Sequence, residues 1–166
     1  MRRLLAVLFA PLLLLAAIAT PAQAVSPHFI RASASLSGTS LQVSFKESGL
    51  GNDQLITYVA SATASATYVC VNRGGANPSA ANKTTVTAPV SATGTFSSGK
   101  NGTISQTLTI SPPGPGSFSC PSGQSLQLAQ VSYTNVSISD TTNGVTESIP
   151  GTFTTGCLLP DVRGAC

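Results

Sequence analysis

The chain has 166 residues, of which 42% are apolar, 8% charged and 5% aromatic, with a formal net charge of +3, no Trp, one His and four Cys. That length fits one domain and that apolar fraction excludes wholesale disorder, while the charged fraction is about a third of the usual ~25%, too low for ion-pair networks to organise the fold. With five acids and one His, most acid–base and metal chemistry lacks its side chains.

Residues 1–24 read as a secretory signal peptide. Met1-Arg2-Arg3 supplies a positive start, Leu4 to Ile18 is an apolar run broken only by Pro11, and Ala22-Gln23-Ala24 forms a small-x-small cleavage site. The run is about 15 residues, short of the ~20 that a membrane helix needs. No second apolar stretch follows, so a secreted, extracellular chain beginning near Val25 is expected, without a membrane span after cleavage. Arg2 and Arg3 leave with the signal, so six bases against five acids remain, a net charge of +1. Those bases (Arg31, Lys46, Arg73, Lys83, Lys100 and Arg163) are scattered singly. Nucleic-acid binding needs clustered cations and stacking aromatics, and is excluded as a reading.

From Val25 onward Ser and Thr make up 42 of 142 residues. No window carries a helical apolar stripe, whereas period-2 alternation recurs throughout. Val25 to Arg31 reads as a disordered or edge-pairing N-terminus. Leu41, Val43 and Phe45 alternate with Gln42 and Ser44. After the turn Gly49-Leu50-Gly51-Asn52 comes the clearest strand, Leu55 to Cys70. One of its faces carries Ile56, Tyr58, Ala60, Ala62, Ala64, Ala66, Tyr68 and Cys70, and the other is largely hydroxylated. Its sixteen residues would span about 53 Å at ~3.3 Å each, so a bend is expected near Ala62 to Ser65. A loop rich in Gly, Asn and Pro follows Cys70. Val86, Ala88, Val90 and Ala92 then lead to Phe96.

Ile104, Leu108 and Ile110 mark the next strand. Residues 112–116, Pro-Pro-Gly-Pro-Gly, cannot join a ladder and form a loop. Leu126 and Leu128 are out of phase with Val131 and Tyr133, which places a bulge near Ala129-Gln130. Val136 and Ile138 precede Asp140-Thr141-Thr142-Asn143-Gly144, and Val145 to Phe153 follows. Asn-Gly at 101–102 and at 143–144 predicts two hairpins. Seven to nine such strands predict an all-β fold, an antiparallel two-sheet sandwich of immunoglobulin-like kind occupying 25–166 as a single domain, rather than a barrel.

Cys70, Cys120, Cys157 and Cys166 are an even set in an exported chain, which points to two disulfides. A zinc site wants close pairs, and the shortest spacing here is nine residues. Of three possible pairings, Cys70–Cys120 and Cys157–Cys166 is expected. Cys70 ends a core-facing strand, Cys120 follows Phe118 at a strand edge, and the last pair closes a small loop that pins the tail 154–166.

The search for chemistry returns no catalytic set, no cofactor motif and no metal motif. His28 stands beside Pro27 near the mature N-terminus, where a mobile chain cannot hold a general base. Glu47, Asp53, Asp140, Glu147 and Asp161 are read as exposed, and nothing singles out two of them as a glycosidase pair. Asn52, Asp53, Asp140 and Asn143 could offer oxygens to calcium, but Asx residues in turns bond their own backbone. The sequons at Asn82, Asn101 and Asn135 arise readily by chance in so Ser/Thr-rich a chain.

The Gly49-Leu50-Gly51-Asn52 turn, the Cys70-Val-Asn-Arg-Gly-Gly…Asn77-Pro…Ala81-Asn-Lys segment and the Asp140-Thr-Thr-Asn-Gly turn resemble a group of small exported proteins from high-GC Gram-positive bacteria. The resemblance implies export and assigns no activity. The favoured reading is a non-catalytic extracellular interaction module. Its candidate loop comprises Asn72, Arg73, Asn77, Asn82 and Lys83, with Lys100 expected nearby. Three cations with no acid among them would meet an anionic cell-envelope polymer or another extracellular protein. The alternative is a carrier of an apolar small molecule, since composition and four cysteines are similar to those of enediyne apoproteins.

Overall fold

The protein is described from a computed structural model, in which residues 25–72 and 80–166 are placed. The signal reading of 1–24, and Arg73 and Asn77 of the candidate loop, lie outside these described residues. Among them no helix is long and apolar enough to cross a membrane.

Alternation becomes eight strands: β1 (His28–Ser37), β2 (Ser40–Ser48), β3 (Leu55–Asn72), β4 (Ala80–Ser97), β5 (Thr103–Ile110), β6 (Gln124–Asp140), β7 (Val145–Ile149) and β8 (Phe153–Thr154). They form two antiparallel sheets in the orders β1-β2-β5 and β4-β3-β6-β7, with β8 added to β6. Lettered as immunoglobulin sandwiches are, this is A-B-E against C′-C-F-G, the fourth strand pairing with the third instead of extending the first sheet. The expected N-terminal edge pairing is present, because β1 lies on the outside of the first sheet and pairs only with β2.

The inward rows meet as predicted. Leu41, Val43 and Phe45 from β2, Ile56 to Ala66 at alternate positions of β3, Ile104, Leu108 and Ile110 from β5, and Val131, Tyr133, Val136 and Ile138 from β6 form one buried core. The alanines of β3 let the first sheet approach closely, while Tyr58, Tyr133 and Phe45 fill the volume on either side. Burial of the Phe45 side chain contributes about 1.5–3 kcal/mol of transfer free energy. Tyr133 reaches across the sandwich to donate its hydroxyl to the Thr39 carbonyl at 2.8 Å, in the β1–β2 turn.

β3 does not break; its neighbour β6 absorbs the irregularity. Pairing of β3 with β6 shifts between Ser61 and Thr63, where Asn135 sits at φ 52°. It shifts again between Thr67 and Tyr68, which leaves Ala129 as the extra residue of the bulge read from the sequence. The second bulge brings Ala129 onto the same face as Val69 and Val71.

Consequently the long sheet is covered twice, on opposite faces. The first sheet covers β3 as far as Ala66. Past it, the Cys70–Cys120 disulfide and a 2.8 Å hydrogen bond from the Tyr68 hydroxyl to the Pro113 carbonyl hold the proline-rich loop over that same face. On the opposite face Val69, Val71 and Ala129 form a second small cluster under Leu159, Val162 and Ala165 of the tail, which the Cys157–Cys166 disulfide closes. Both expected pairings are thus present.

One turn departs from expectation. Asn101-Gly102 does not join paired strands: a 3-10 turn, Gly99–Asn101, carries the chain from β4 in one sheet to β5 in the other. Ser98 locks this corner to the β2–β3 connection. Its buried hydroxyl donates to the Gly51 carbonyl at 2.7 Å and accepts from the Gln54 amide at 2.9 Å. An Asn-Gly pair fixes a left-handed turn geometry, and the partner of the next strand is decided by tertiary packing.

Candidate functional site

Among the described residues the structure does not bring Lys83 and Lys100 together. Lys83 pairs with Val69 and Ser97 with Leu55, so Lys83 and Lys100 stand at opposite ends of β4. At ~3.3 Å per residue they are on the order of 45 Å apart along the strand. Asn72, Asn82 and the exposed Lys83 gather at the far end of the β3–β4 hairpin, whereas Lys100 is at the near end. Sequence proximity to a loop did not reveal that an eighteen-residue strand intervenes.

The acids are corrected as well: two of the five are buried. Glu47 continues the inward row of β2 beyond Phe45 and is fully buried, and Asp140 continues that of β6 beyond Ile138 and is 1% exposed. The same alternation that identified the core would have placed both inside. Asp140 is the direct partner of Tyr58 across β3 and β6. Its carboxylate caps the turn, accepting from the Thr142 amide at 2.8 Å, the Asn143 amide at 2.9 Å and the Asn143 side-chain amide at 2.6 Å. The Asx-turn reading therefore describes Asp140, and the 143–144 Asn-Gly does close a hairpin.

Glu47 is different: neither carboxyl oxygen, nor the Tyr58 hydroxyl, has a hydrogen-bond partner of ordinary geometry among the described residues. Burial pushes the Glu47 carboxyl above its usual range and the Asp140 charge adds to that, while the Tyr58 hydroxyl opposes it. Phe45 packs at a tilt against Tyr58 at 4.4 Å between ring centroids, with Phe29 and Phe96 at 6.3 and 6.2 Å, so aromatic rings crowd the Tyr58 side chain. No three His, Cys, Asp or Glu side chains converge on a metal position among the described residues. His28 is not on a mobile tail, as expected, but in β1. Its Nδ1 lies 2.8 Å from the Ser26 carbonyl and its Nε2 3.2 Å from the Ser48 hydroxyl.

The most extensive candidate surface is the outer face of the long sheet. β3 presents Thr57, Val59, Ser61, Thr63, Ser65 and Thr67; their partners on β4 are Thr95, Thr93, Ser91, Pro89, Thr87 and Thr85. On the other side stand Ser139, Ser137, Thr134, Ser132 and Gln130 of β6, then Thr146 and Ser148 of β7. None of these residues carries a charge. Cross-strand hydroxyls bond one another, Thr57 to Thr95 at 2.9 Å, Ser65 to Thr87 at 2.7 Å, Thr67 to Thr85 at 3.0 Å and Ser139 to Thr146 at 2.9 Å. Each such hydroxyl keeps acceptor capacity for a ligand.

The bulge at Asn135 interrupts this face and opens a groove of about 760 Å³ toward the Pro150-Gly151-Thr152 segment, with Asn135, Ser137, Thr146 and Ser148 along it. A second open groove, about 460 Å³, runs past Val25, Leu50, Leu55 and Asn143 at the near end of the sandwich. Both are solvent-facing. Neither resembles the enclosed apolar chamber in which a small apolar cargo would be held.

These features define an immunoglobulin-like sandwich with a closed core and a broad hydroxylated face. Compared with known protein families the chain matches no family model, and no curated protein matches it.

Proposed function

We propose that the mature chain is a secreted, non-catalytic immunoglobulin-like module that binds a neutral, hydroxyl-rich polysaccharide of the cell envelope. The observation that carries this reading is the uncharged Ser/Thr face of the five-stranded sheet, with its groove at the Asn135 bulge. Hydroxyls and carboxamides both donate and accept, which suits the two-way hydrogen bonding of sugar hydroxyls. The separation of Lys83 from Lys100 supports a neutral polymer over an anionic one. Two disulfides suit an oxidising compartment, and the motif resemblance to exported proteins of high-GC Gram-positive bacteria supports the same placement.

The test is co-sedimentation of the folded protein with insoluble neutral glycans and with cell envelopes, at low and high salt. Retention independent of salt is expected, and it should be lost in the double variant Ser137→Arg, Ser148→Arg, whose circular dichroism should match the wild type. Failure to bind any glycan, or binding that salt abolishes, overturns the proposal.

A further inference from the structure

The buried acids at the near end of the core are not needed by that surface. Glu47 comes from the first sheet, and Tyr58 and Asp140, direct register partners, from the second. All three are at most 1% exposed. Asp140 spends three acceptor positions on the turn amides and its own neighbour Asn143. It has lone-pair capacity left. Glu47 has two unsatisfied oxygens and Tyr58 an unsatisfied hydroxyl. Two buried carboxylates sharing one site disfavour being ionised together, and an unpaired buried charge is far more costly than a hydrogen-bonded neutral acid.

We propose that Glu47 is kept as the neutral carboxylic acid and acts as a proton latch between the two sheets. Its O–H donates to the Asp140 carboxylate, and its carbonyl oxygen accepts from the Tyr58 hydroxyl. The proton thereby ties β2 to the end of β6 and to the 141–144 turn that Asp140 caps.

The surroundings leave few competitors. From β1 the titratable neighbour is His28, whose influence on Glu47 opposes that of Asp140. β3 contributes Tyr58 and β6 contributes Asp140. β5 sets the apolar Ile104 opposite Glu47, β7 sets Val145 opposite Asp140, and β4 sets Gly94 opposite Tyr58. Lys46 points to the other face and is exposed. Because the folded state favours the protonated acid, the latch is complete below the ordinary glutamate range and is lost as pH rises through the elevated one.

The chain contains only two glutamates, Glu47 and the exposed Glu147. Protein labelled with carbon-13 at the glutamate carboxyl therefore gives two resonances to follow by NMR. One is expected at the protonated position at neutral pH, and it should vanish in Glu47→Gln. The wild-type folding constant should fall by up to about tenfold per pH unit between the ordinary glutamate range and the titration of that resonance, and level off above it. In Glu47→Gln, whose amide can donate to Asp140 and accept from Tyr58, the fall should be absent. Two ionised resonances at neutral pH overturn the proposal, as does an unchanged pH profile in Glu47→Gln. So does a Glu47 resonance that moves to the ionised position on adding calcium chloride, which would mark a cation site. The labelled wild type decides the matter even if the variant does not fold.

Discussion

Replacing Cys70 and Cys120 together by alanine tests how the two-faced cover is held. The bridge closes a loop with a sequence separation of 50 residues, containing β4 and β5. Chain entropy assigns such a loop about 4 kcal/mol at 25 °C, against about 2.5 kcal/mol for the Cys157–Cys166 pair at a separation of nine. Cys70 is also fully buried, so the smaller side chain leaves a small void that adds to the loss. For a domain of this size each kcal/mol lowers Tm by about 3–4 °C, so the double variant should melt roughly 15 °C lower. The assay is urea and thermal unfolding followed by circular dichroism, with each protein's m-value recorded. The m-value should rise, since the released unfolded chain exposes more surface. A loss below about 1 kcal/mol with an unchanged m-value would refute the reasoning, because the bridge would then constrain neither state appreciably.

Gly49 has φ +76° and an added Cβ would collide with the Ser26 backbone, so Gly49→Ala should cost about 2–3 kcal/mol and expose 25–27 to proteolysis, measured by unfolding and limited digestion. Ala64→Leu should cost about 1–3 kcal/mol by overpacking where the sheets meet, whereas Ser65→Thr on the outer face should stay within about 0.5 kcal/mol; equal effects in denaturant melts would contradict the assigned faces. Burial raises Tyr58 and Tyr68 above the usual phenol range and pushes Tyr133 up to about 12. The folded state favours the neutral phenol, so this stability is complete below pH ~10 and lost as pH climbs through about 12. Ultraviolet titration should show phenolate of Tyr58 and Tyr133 only as the protein unfolds.

Much of this architecture was legible because alternation carries it. A strand with Ile56, Tyr58 and a row of alanines on one side and hydroxyls on the other has one way to face a core. The phase change between Leu128 and Val131 located a bulge, and the distance from Cys157 to Cys166 suited a local loop. What failed depended on which elements become neighbours. Asn101-Gly102 specifies its own dihedrals and says nothing about whether β5 returns to β4 or crosses to β2. Lys83 and Lys100 looked close because both flank turns, yet β4 separates them. Glu47 and Asp140 are inside because both continue inward rows, so that periodicity and not charge decides their side of the sheet. The hydroxylated face was visible residue by residue, but its width of four strands follows only from the pairing order β4-β3-β6-β7.

The double cover also sets how the molecule would bear load. β1 enters at the end where His28 pairs with Ser48, while the tail docks at the other end, where Ala80 donates to the Arg163 carbonyl and the Cys166 thiol-derived sulfur lies 3.6 Å from the Ala129 carbonyl. Tension applied between the two termini therefore runs parallel to the strands. The β1–β2 ladder would be sheared along its whole length, with its hydrogen bonds loaded together rather than unzipped one at a time. At the opposite end the 157–166 cross-link caps how far the tail can extend before β8 and β6 take the strain. A protein gripped at both ends should thus resist extension up to a single high-force event.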